Sequence, residues 1–372
     1  MRRRRILVNA LSLTEGGGGR SYLLNVLREL ERDPRGFDFT VLVGSGQLSP
    51  EDAGGVEVAT VQLPPPRAGA RVLTRVAYEQ ALLPLRAGRY DLLYCVADLA
   101  PAIAGTPTVI ALRNMHIYDN RFYGTFRLKA LKPLVQAGVR RAQRVLFPTR
   151  AAADQISRVI PIPGERIAIV PHGVSPEAFA AEASPVADGT PYLFLPASLE
   201  RHKRVQVLIR SLTHAPDRDL EAWIAGSDVV DPAYARDLRE LAESLGVSSR
   251  VRFLGHVPYR DILGYYRGAR ALGFTSLLET FGHPMLEAML AETPILAADI
   301  PSFREIAGDI ALYFPPDDAE ALARAAEEVR RDPDAAKARV ERGRARATEF
   351  SWKRSVDLLC QVFDGVLGEA PS

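Results

Sequence analysis

Short apolar runs alternate with stretches of helical spacing along most of the chain. Residues 5–10 and 39–43 read as buried strands, and 22–30 between them carry apolar residues at helical spacing. Residues 91–96, 108–112, 145–148 and 167–170 continue the strand series, with helices predicted over 72–85 and 126–144. Near 180–191 the apolar pattern gives way to Ala, Glu, Ser, Pro, Asp and Gly, as a linker does. The alternation then restarts. Strands are predicted over 192–195, 220–225, 251–254, 271–275, 295–297 and 311–314, and helices over 232–245 and 319–331. Strands alternating with helices imply parallel β-α-β units, whose sheets must be covered on both faces. The fold class expected is therefore α/β, with two Rossmann-like doubly wound sheets in tandem facing a cleft. Ligands in such sheets bind outside the carboxyl ends of the strands.

The expected domains are 1–182 and 183–352. A last helix over 352–367, within a tail 353–372, crosses back to the first domain. Val356, Leu359, Val362 and Phe363 recur there at helical spacing and need a surface to cover.

With 372 residues, two domains are the prior. Lysine and arginine number 47 against 45 acidic residues, a net charge of +2 that gives no reason to expect a nucleic-acid partner. The two cysteines, Cys95 and Cys360, lie far apart without metal-ligand spacing, so a reducing, cytoplasmic setting is expected. Arg2 to Arg5 before Ile6 to Val8 resemble the start of a signal peptide. Asn9, Ser12, Glu15 and four glycines soon break the apolar part, and a buried first strand is the better reading. No run of 18 apolar residues suits a membrane span.

The most specific segment is Ser276-Leu-Leu-Glu279-Thr-Phe281-Gly282-His283-Pro284-Met-Leu-Glu287. A strand ends before it, a loop carries Glu279, and a helix begins around Gly282 to Pro284, where proline suits the first turn. Free backbone N–H groups at that start make an anion site, and the glycine allows close approach. Glu279 and Glu287 bracket the site and could accept hydrogen bonds from sugar hydroxyls. Taken singly, Glu287 reads better as offsetting the helix dipole and Glu279 as a solvated loop residue.

The segment resembles the E-x7-E signature of the retaining glycosyltransferases of family 4, which have the GT-B fold. The resemblance covers residues 190–355. Val251-Arg-Phe-Leu-Gly255-His-Val precedes the segment, Thr293-Pro-Ile-Leu and Pro301-Ser-Phe-Arg-Glu305-Ile-Ala-Gly308 follow it, and Phe350-Ser-Trp352 closes the pattern. It implies that Glu287 binds the ribose of a nucleotide. Glu279, with the amides of Phe281 and Gly282, would contact the transferred sugar or its phosphate.

Pro196-Ala-Ser198-Leu-Glu-Arg201-His202-Lys203-Arg204 follows a strand. Cations there would stabilise charge developing on a leaving diphosphate. Lys203 resembles the family's phosphate-binding lysine. Where the family more often has Gly-Arg this chain has Ala197-Ser198, so Ser198 replaces the usual arginine, and Arg201 or Arg204 is a candidate to compensate.

In the first half, Gly16 to Gly19 lie between the first strand and first helix. Gly17 and Gly18 there would let a ligand meet backbone N–H groups, or would simply form a turn. The run is neither a dinucleotide fingerprint nor a P-loop. Arg113-Asn114-Met115-His116 follows a strand, where the family places a histidine facing the donor sugar; His116 joins Glu279 and Lys203 as a catalytic candidate. Asp332-Pro-Asp334 and Asp217-Arg-Asp219 formally read Asp-x-Asp but sit at polar helix boundaries, where aspartates cap. No metal and no cofactor are expected, the nucleoside diphosphate sugar being a co-substrate.

Between 113 and 150 nine Lys or Arg stand against one acid, Asp119, with Phe122, Tyr123, Phe126, Leu128 and Leu131 interleaved. That suits an anionic membrane surface or a lipid-diphosphate acceptor, and equally a core with a solvated face. The reading is sugar transfer from a nucleoside diphosphate sugar to the hydroxyl of a glycan, lipid-linked or small-molecule acceptor, with retained configuration. A sugar-phosphate synthase, a nucleotide-sugar epimerase, and a non-catalytic nucleotide-sugar-binding subunit are the alternatives.

Overall fold

The computed structural model describes residues 2–13, 18–32, 35–49, 51–64, 70–115, 126–175, 186 and 189–369, without the side chains of 126–130 and 369. The chain divides into two compact units, Met1–Gly173 with Trp352–Ser372, and Val174–Ser351.

Unit 1 holds a seven-stranded sheet of β1 (Arg4–Asn9), β2 (Phe37–Gly44), β3 (Glu57–Val61), β4 (Leu92–Cys95), β5 (Thr108–Ala111), β6 (Arg144–Phe147) and β7 (Ile167–Ile169). Their spatial order is β3-β2-β1-β4-β5-β6-β7, and every pairing is parallel. Ile6 and Val8 are buried in β1, while Arg4 ahead of them is exposed, a solvated lead-in to a core strand. β3 was not among the predicted strands. It is an edge strand with no fully buried residue, so its sequence carries no continuous apolar run. The helix predicted over 72–85 is two helices, Ala70–Ala81 and Leu83–Ala87, because Pro84 supplies no N–H to continue the ladder.

The helix Trp352–Glu369 belongs to unit 1. Trp352, Val356, Leu359, Cys360, Phe363 and Val366 are buried in one cluster with Ile6, Tyr22, Phe37 and Tyr94. Phe363 meets Tyr94 with ring centroids 5.3 Å apart and Phe37 at 6.0 Å, both edge-on. Such tilted contacts suit the ring quadrupoles better than face-to-face stacking.

Unit 2 holds six parallel strands: β8 (Tyr192–Pro196), β9 (Glu221–Ala225), β10 (Val251–Gly255), β11 (Ala271–Phe274), β12 (Ile295–Ala298) and β13 (Leu312–Phe314). Their order is β10-β9-β8-β11-β12-β13. The chain thus builds outward from β8 in one direction, then returns to its other side. β8 and β11 are hydrogen-bonded neighbours, Ala271 opposite Leu193 and Leu272 opposite Phe194. The loops leaving their carboxyl ends flank the point where strand order reverses, the place where open sheets of this kind receive ligands.

The loop after β9 packs closely on the loop after β8, and a glycine permits it. A Cβ at Gly226, just past β9, would stand 1.9 Å from the carbonyl oxygen of Ala197, just past β8. Backbone cannot yield there as a flexible side chain could. Gly226→Ala is expected to lower stability by about 3 kcal/mol, the upper part of the range for overpacking, read as a reduced urea midpoint at unchanged slope. An unaltered midpoint would mean that these two loops do not approach as described.

Candidate active site

The loop after β8 carries Ser198, Arg201 and Lys203. Arg201–Lys203 form one 3-10 turn, and Arg204, in the left-handed region at φ 53°, starts the helix Val205–His214. The loop after β11 carries Glu279 to Gly282. Two bonds tie these loops together: Thr275 Oγ1 donates to the carbonyl of Lys203 at 2.7 Å, and Leu277 N–H donates to that of His202 at 2.9 Å. Lys203 Nζ and Glu279 Oε1 consequently meet at 2.5 Å, with both side chains about 17–18% exposed. A lysine and a carboxylate 76 residues apart in sequence are thus brought together at the switch point.

Gly282 precedes the helix His283–Leu290 at φ 104°, a conformation that side-chain-bearing residues resist. Its surroundings also exclude a Cβ, which would press on the Phe303 ring at 3.1 Å. Phe281 is buried, its ring edge-on to Phe350 at 5.9 Å, so that residue's side chain serves the core. Glu287 lies on the helix, partly buried. Its Oε2 accepts from the Tyr266 hydroxyl at 2.7 Å, and Tyr259 adds a second hydrogen bond. Burial pushes the Glu287 carboxyl above its ordinary range, and the two tyrosine hydroxyls oppose that rise.

The other members of the loop after β8 look elsewhere. Ser198 Oγ donates to Glu200 Oε1 at 2.6 Å. Arg201 pairs with Asp231 at 3.1 Å and Asp237 at 3.2 Å, and Arg204 with Asp317 at 2.5 Å. Both guanidinium groups are therefore committed to carboxylates of unit 2 in this structure. Gly17 and His116 lie outside the described residues. Gly18 begins the helix Gly18–Arg32, exposed, with nothing within 4 Å of where a Cβ would sit.

In unit 1 the carboxyl ends of β4 and β5 carry a polar network in which Asp98 holds Arg113 and Asn114, the first two residues of the segment that leads to His116 in sequence. Asp98 is 5% exposed and accepts from Arg113 N–H at 3.0 Å, Asn114 N–H at 3.3 Å and Asn114 Nδ2 at 2.7 Å. Arg113 is drawn inward, its guanidinium 3.2 Å from the Tyr22 ring centroid and donating to the Tyr94 hydroxyl at 3.2 Å. Of the basic stretch, Arg113 thus serves the interior. Arg141 donates to the Ala104 carbonyl at 2.6 Å. Residues 116–125 of that stretch lie outside the described residues, as do the side chains of 126–130.

Among the described residues, no cluster of three or more His, Cys, Asp or Glu is arranged to hold a metal ion. Asp332 caps the helix Pro333–Ala347 through Ala335 N–H at 2.9 Å. Asp217 precedes the turn at 218–219, accepting from Asp219 N–H at 3.0 Å and pairing with Arg270 at 2.8 Å, so it steadies a turn and does not cap a helix as expected. Cys95 and Cys360 are free and buried. Among the described residues, no helix is long and apolar enough to cross a membrane.

Two parallel α/β units of this topology define the GT-B class of glycosyltransferase folds, and solved structures agree. The chain is similar to the sucrose-phosphate synthase of Thermosynechococcus elongatus, with a TM-score of 0.80, 18% identity, and 99% and 100% of the two chains covered. Its likeness to Anabaena HepE in complex with UDP and glucose has a TM-score of 0.78 at 20% identity, covering 97% and 100%. The family profile described as Glycosyltransferase Family 4 matches residues 16–178, and that described as Glycosyl transferases group 1 matches 177–346. The chain belongs to glycosyltransferase family 4. Among its relatives, the O-antigen chain mannosyltransferase RfbU of Salmonella typhimurium is 27% identical over 202 residues, 54% of this chain and 55% of that protein. The D-inositol 3-phosphate glycosyltransferase of Saccharomonospora viridis is 30% identical over 245 residues, 60% of this chain and 56% of that protein. The chain thus spans about half the length of these relatives.

Tyr259, Tyr266, Thr275, Gly226 and Asp98 were not singled out in the sequence. Only Gly226, directly after a strand, carried a local signal for close backbone approach. The tyrosines come to Glu287 from separate elements, and no periodicity reports that.

Burial pushes Asp98 up to about 6 from an ordinary value of 3.8, against the lowering effect of its three hydrogen bonds and of Arg113. A folded-state value raised above the unfolded one gives stability that is fully present below the unfolded value and is lost as pH rises through the folded one. The wild type should therefore lose about 3 kcal/mol, from the difference 6 − 3.8 at 1.36 kcal/mol per unit, between about pH 3 and 7 relative to Asp98→Asn. Denaturation midpoints of both proteins across that window check this; parallel profiles would contradict the assignment.

Proposed function

We propose that the chain is a retaining glycosyltransferase that moves a sugar from a nucleoside diphosphate sugar to an acceptor hydroxyl without a catalytic metal. The observation that carries this is the Lys203–Glu279 contact of 2.5 Å, beside the start of the helix His283–Leu290, at the reversal of strand order. In the reaction the bond from the anomeric carbon to the diphosphate oxygen breaks and a bond to the acceptor oxygen forms on the same face. The acceptor proton passes to the departing phosphate oxygen. Charge grows on the diphosphate as it leaves, and the Lys203 ammonium stabilises that state more than the ground state. Glu279 accepts from hydroxyls of the transferred sugar, Glu287 accepts from the ribose, and the amides of Phe281 and Gly282 face phosphate. The family resemblance assigns Ser198, Arg201, Gly17 and Gly18 to donor binding and His116 to catalysis; for Ser198 and Arg201 that role requires release from Glu200 and from Asp231 and Asp237.

The donor class draws support from HepE, whose structure contains UDP and glucose. The acceptor class draws support from the named O-antigen and inositol phosphate enzymes: a glycan, lipid-linked or small-molecule hydroxyl in polysaccharide or glycoconjugate synthesis. The reading assigns the protein to the cytoplasm, with the basic stretch 113–150 as the segment to test for contact with the inner face of a membrane.

Lys203→Ala should reduce kcat by about a hundredfold, as loss of one charge-stabilising donor does, while donor affinity changes far less. Steady-state kinetics with the best donor from a nucleotide-sugar panel reads this, and a variant of normal kcat removes Lys203 from the chemistry. Proton NMR of the product should show the donor's anomeric configuration retained. The rate should survive EDTA treatment with a metal-free donor; complete loss restored by Mg²⁺ or Mn²⁺ would show a catalytic metal site instead.

A further inference from the structure

Two tyrosines converge on Glu287 in different ways. Tyr266, on the helix Ile262–Gly268, is fully buried. Its hydroxyl donates to Glu287 Oε2 at 2.7 Å, its carbonyl accepts from Thr293 Oγ1 at 2.8 Å, and its ring packs edge-on against Phe194 at 5.1 Å. It is held at both ends and cannot follow the carboxylate if that moves. Tyr259 belongs to the turn between β10 and that helix and is 55% exposed, yet its hydroxyl bonds the same carboxylate. An exposed aromatic ring is ordinary in isolation. This one has its polar end anchored inside the candidate nucleoside site and more than half its surface open.

A carboxylate offers about four acceptor positions on its two oxygens. Two tyrosine donors use two of them and fix the plane of the group. The remaining two match the number of hydroxyls on a ribose ring. A base attached to that ribose would lie within reach of the Tyr259 ring, and an aromatic face binds any base by stacking.

We propose that Tyr266 and Tyr259 are positioning residues that hold the Glu287 carboxylate for a ribose diol, and that the Tyr259 ring is the platform on which the nucleobase stacks. The inference rests on the reading of Glu287 as the ribose acceptor and adds how ribose and base are selected. Ribose is distinguished from deoxyribose by the oriented carboxylate. Different bases are tolerated by the ring, with the choice among them left to other contacts.

The test is calorimetric titration of the full chain with UDP, GDP and ADP, followed by the tightest of these against its 2′-deoxy counterpart. The wild type should prefer the ribose form by about tenfold, the worth of one hydrogen bond to a charged group. Glu287→Gln should abolish most of that preference. Tyr266→Phe and Tyr259→Phe should each lower it by about threefold or more, because an unrestrained carboxylate meets the diol less well. Tyr259→Ala should in addition weaken both forms by about tenfold relative to Tyr259→Phe, through loss of the stack. If Glu287→Gln loses the preference while both phenylalanine variants keep it, the positioning role is overturned and the reading of Glu287 stands. Tighter binding by Tyr259→Phe would mean that the hydroxyl competes with ribose, which also overturns it. Equal affinities of Tyr259→Ala and Tyr259→Phe overturn the platform. If no diphosphate binds, or Glu287→Gln keeps the preference, the reading and the inference fall together.

Discussion

The site in unit 2 depends on the reversal of strand order between β8 and β11. Six parallel strands send all their carboxyl ends to one sheet edge, and the reversal makes neighbours of two loops distant in sequence. Adjacency alone would leave the loops free to diverge. The bonds from Thr275 Oγ1 and Leu277 N–H to the carbonyls of Lys203 and His202 close that freedom. Gly226 permits the third loop of the edge, after β9, to lie against Ala197. The lysine and the carboxylate therefore meet as a consequence of backbone positions, and their own attraction is the last contribution.

Electrostatics within that edge sort the cations by their partners. Arg201 meets Asp231 and Asp237 with about half of its side chain exposed, where solvent and salt leave such pairs little energetic value. Their structural effect is to keep a guanidinium occupied. Arg204 is similarly bound to Asp317. Lys203 instead meets a glutamate that is itself a candidate for ligand contact, with both groups more than four-fifths covered. On the proposed reading, an entering diphosphate would exchange one anionic partner for another without first desolvating the ammonium. Ser198, standing where the family more often has arginine, turns its hydroxyl to Glu200 and brings no charge of its own. The balance at this loop therefore falls on Lys203.

Most strands of both units were legible because strands of a parallel sheet that are buried on both faces leave near-continuous apolar runs, as in 192–195 and 295–297. β3 was not, since an edge strand with Glu57 and Thr60 exposed has no such run. At the candidate site, Glu279, Gly282, Glu287 and Lys203 could be picked out because strand–loop–helix chemistry concentrates them in two short segments. The clamps were not. Thr275 acts on a carbonyl 72 residues away, Tyr266 on a carboxylate 21 residues away, and Asp98 on the amides of Arg113 and Asn114. Each is an ordinary residue whose role exists only once topology has chosen its neighbour. Arg113 illustrates the opposite error. In sequence it is one of nine cations of a basic stretch, whereas in the fold it lies over the Tyr22 ring.

The two units also differ in how their cores close. Unit 2 is contiguous, and among the described residues its buried cluster draws only on Val174 to Phe350. Its first and last residues are adjacent: Val174 bridges Ser351 and donates its N–H to the Phe350 carbonyl at 2.9 Å. Unit 1 has no such closure within its first 173 residues. Trp352, Val356, Leu359 and Phe363 fill its cluster beside Tyr22, Phe37 and Tyr94. Without that helix these rings would present apolar surface to water, at a cost of roughly 25 cal/mol per Å². Contacts of such sequence separation carry a large loop-closure entropy, which a folded unit 2 lowers by holding residues 174 and 351 together. The bridge thus holds the start of the last helix beside the residue at which the chain leaves unit 1. The Tyr22 and Trp352 rings, 5.6 Å apart, then join the beginning of the chain to its final helix.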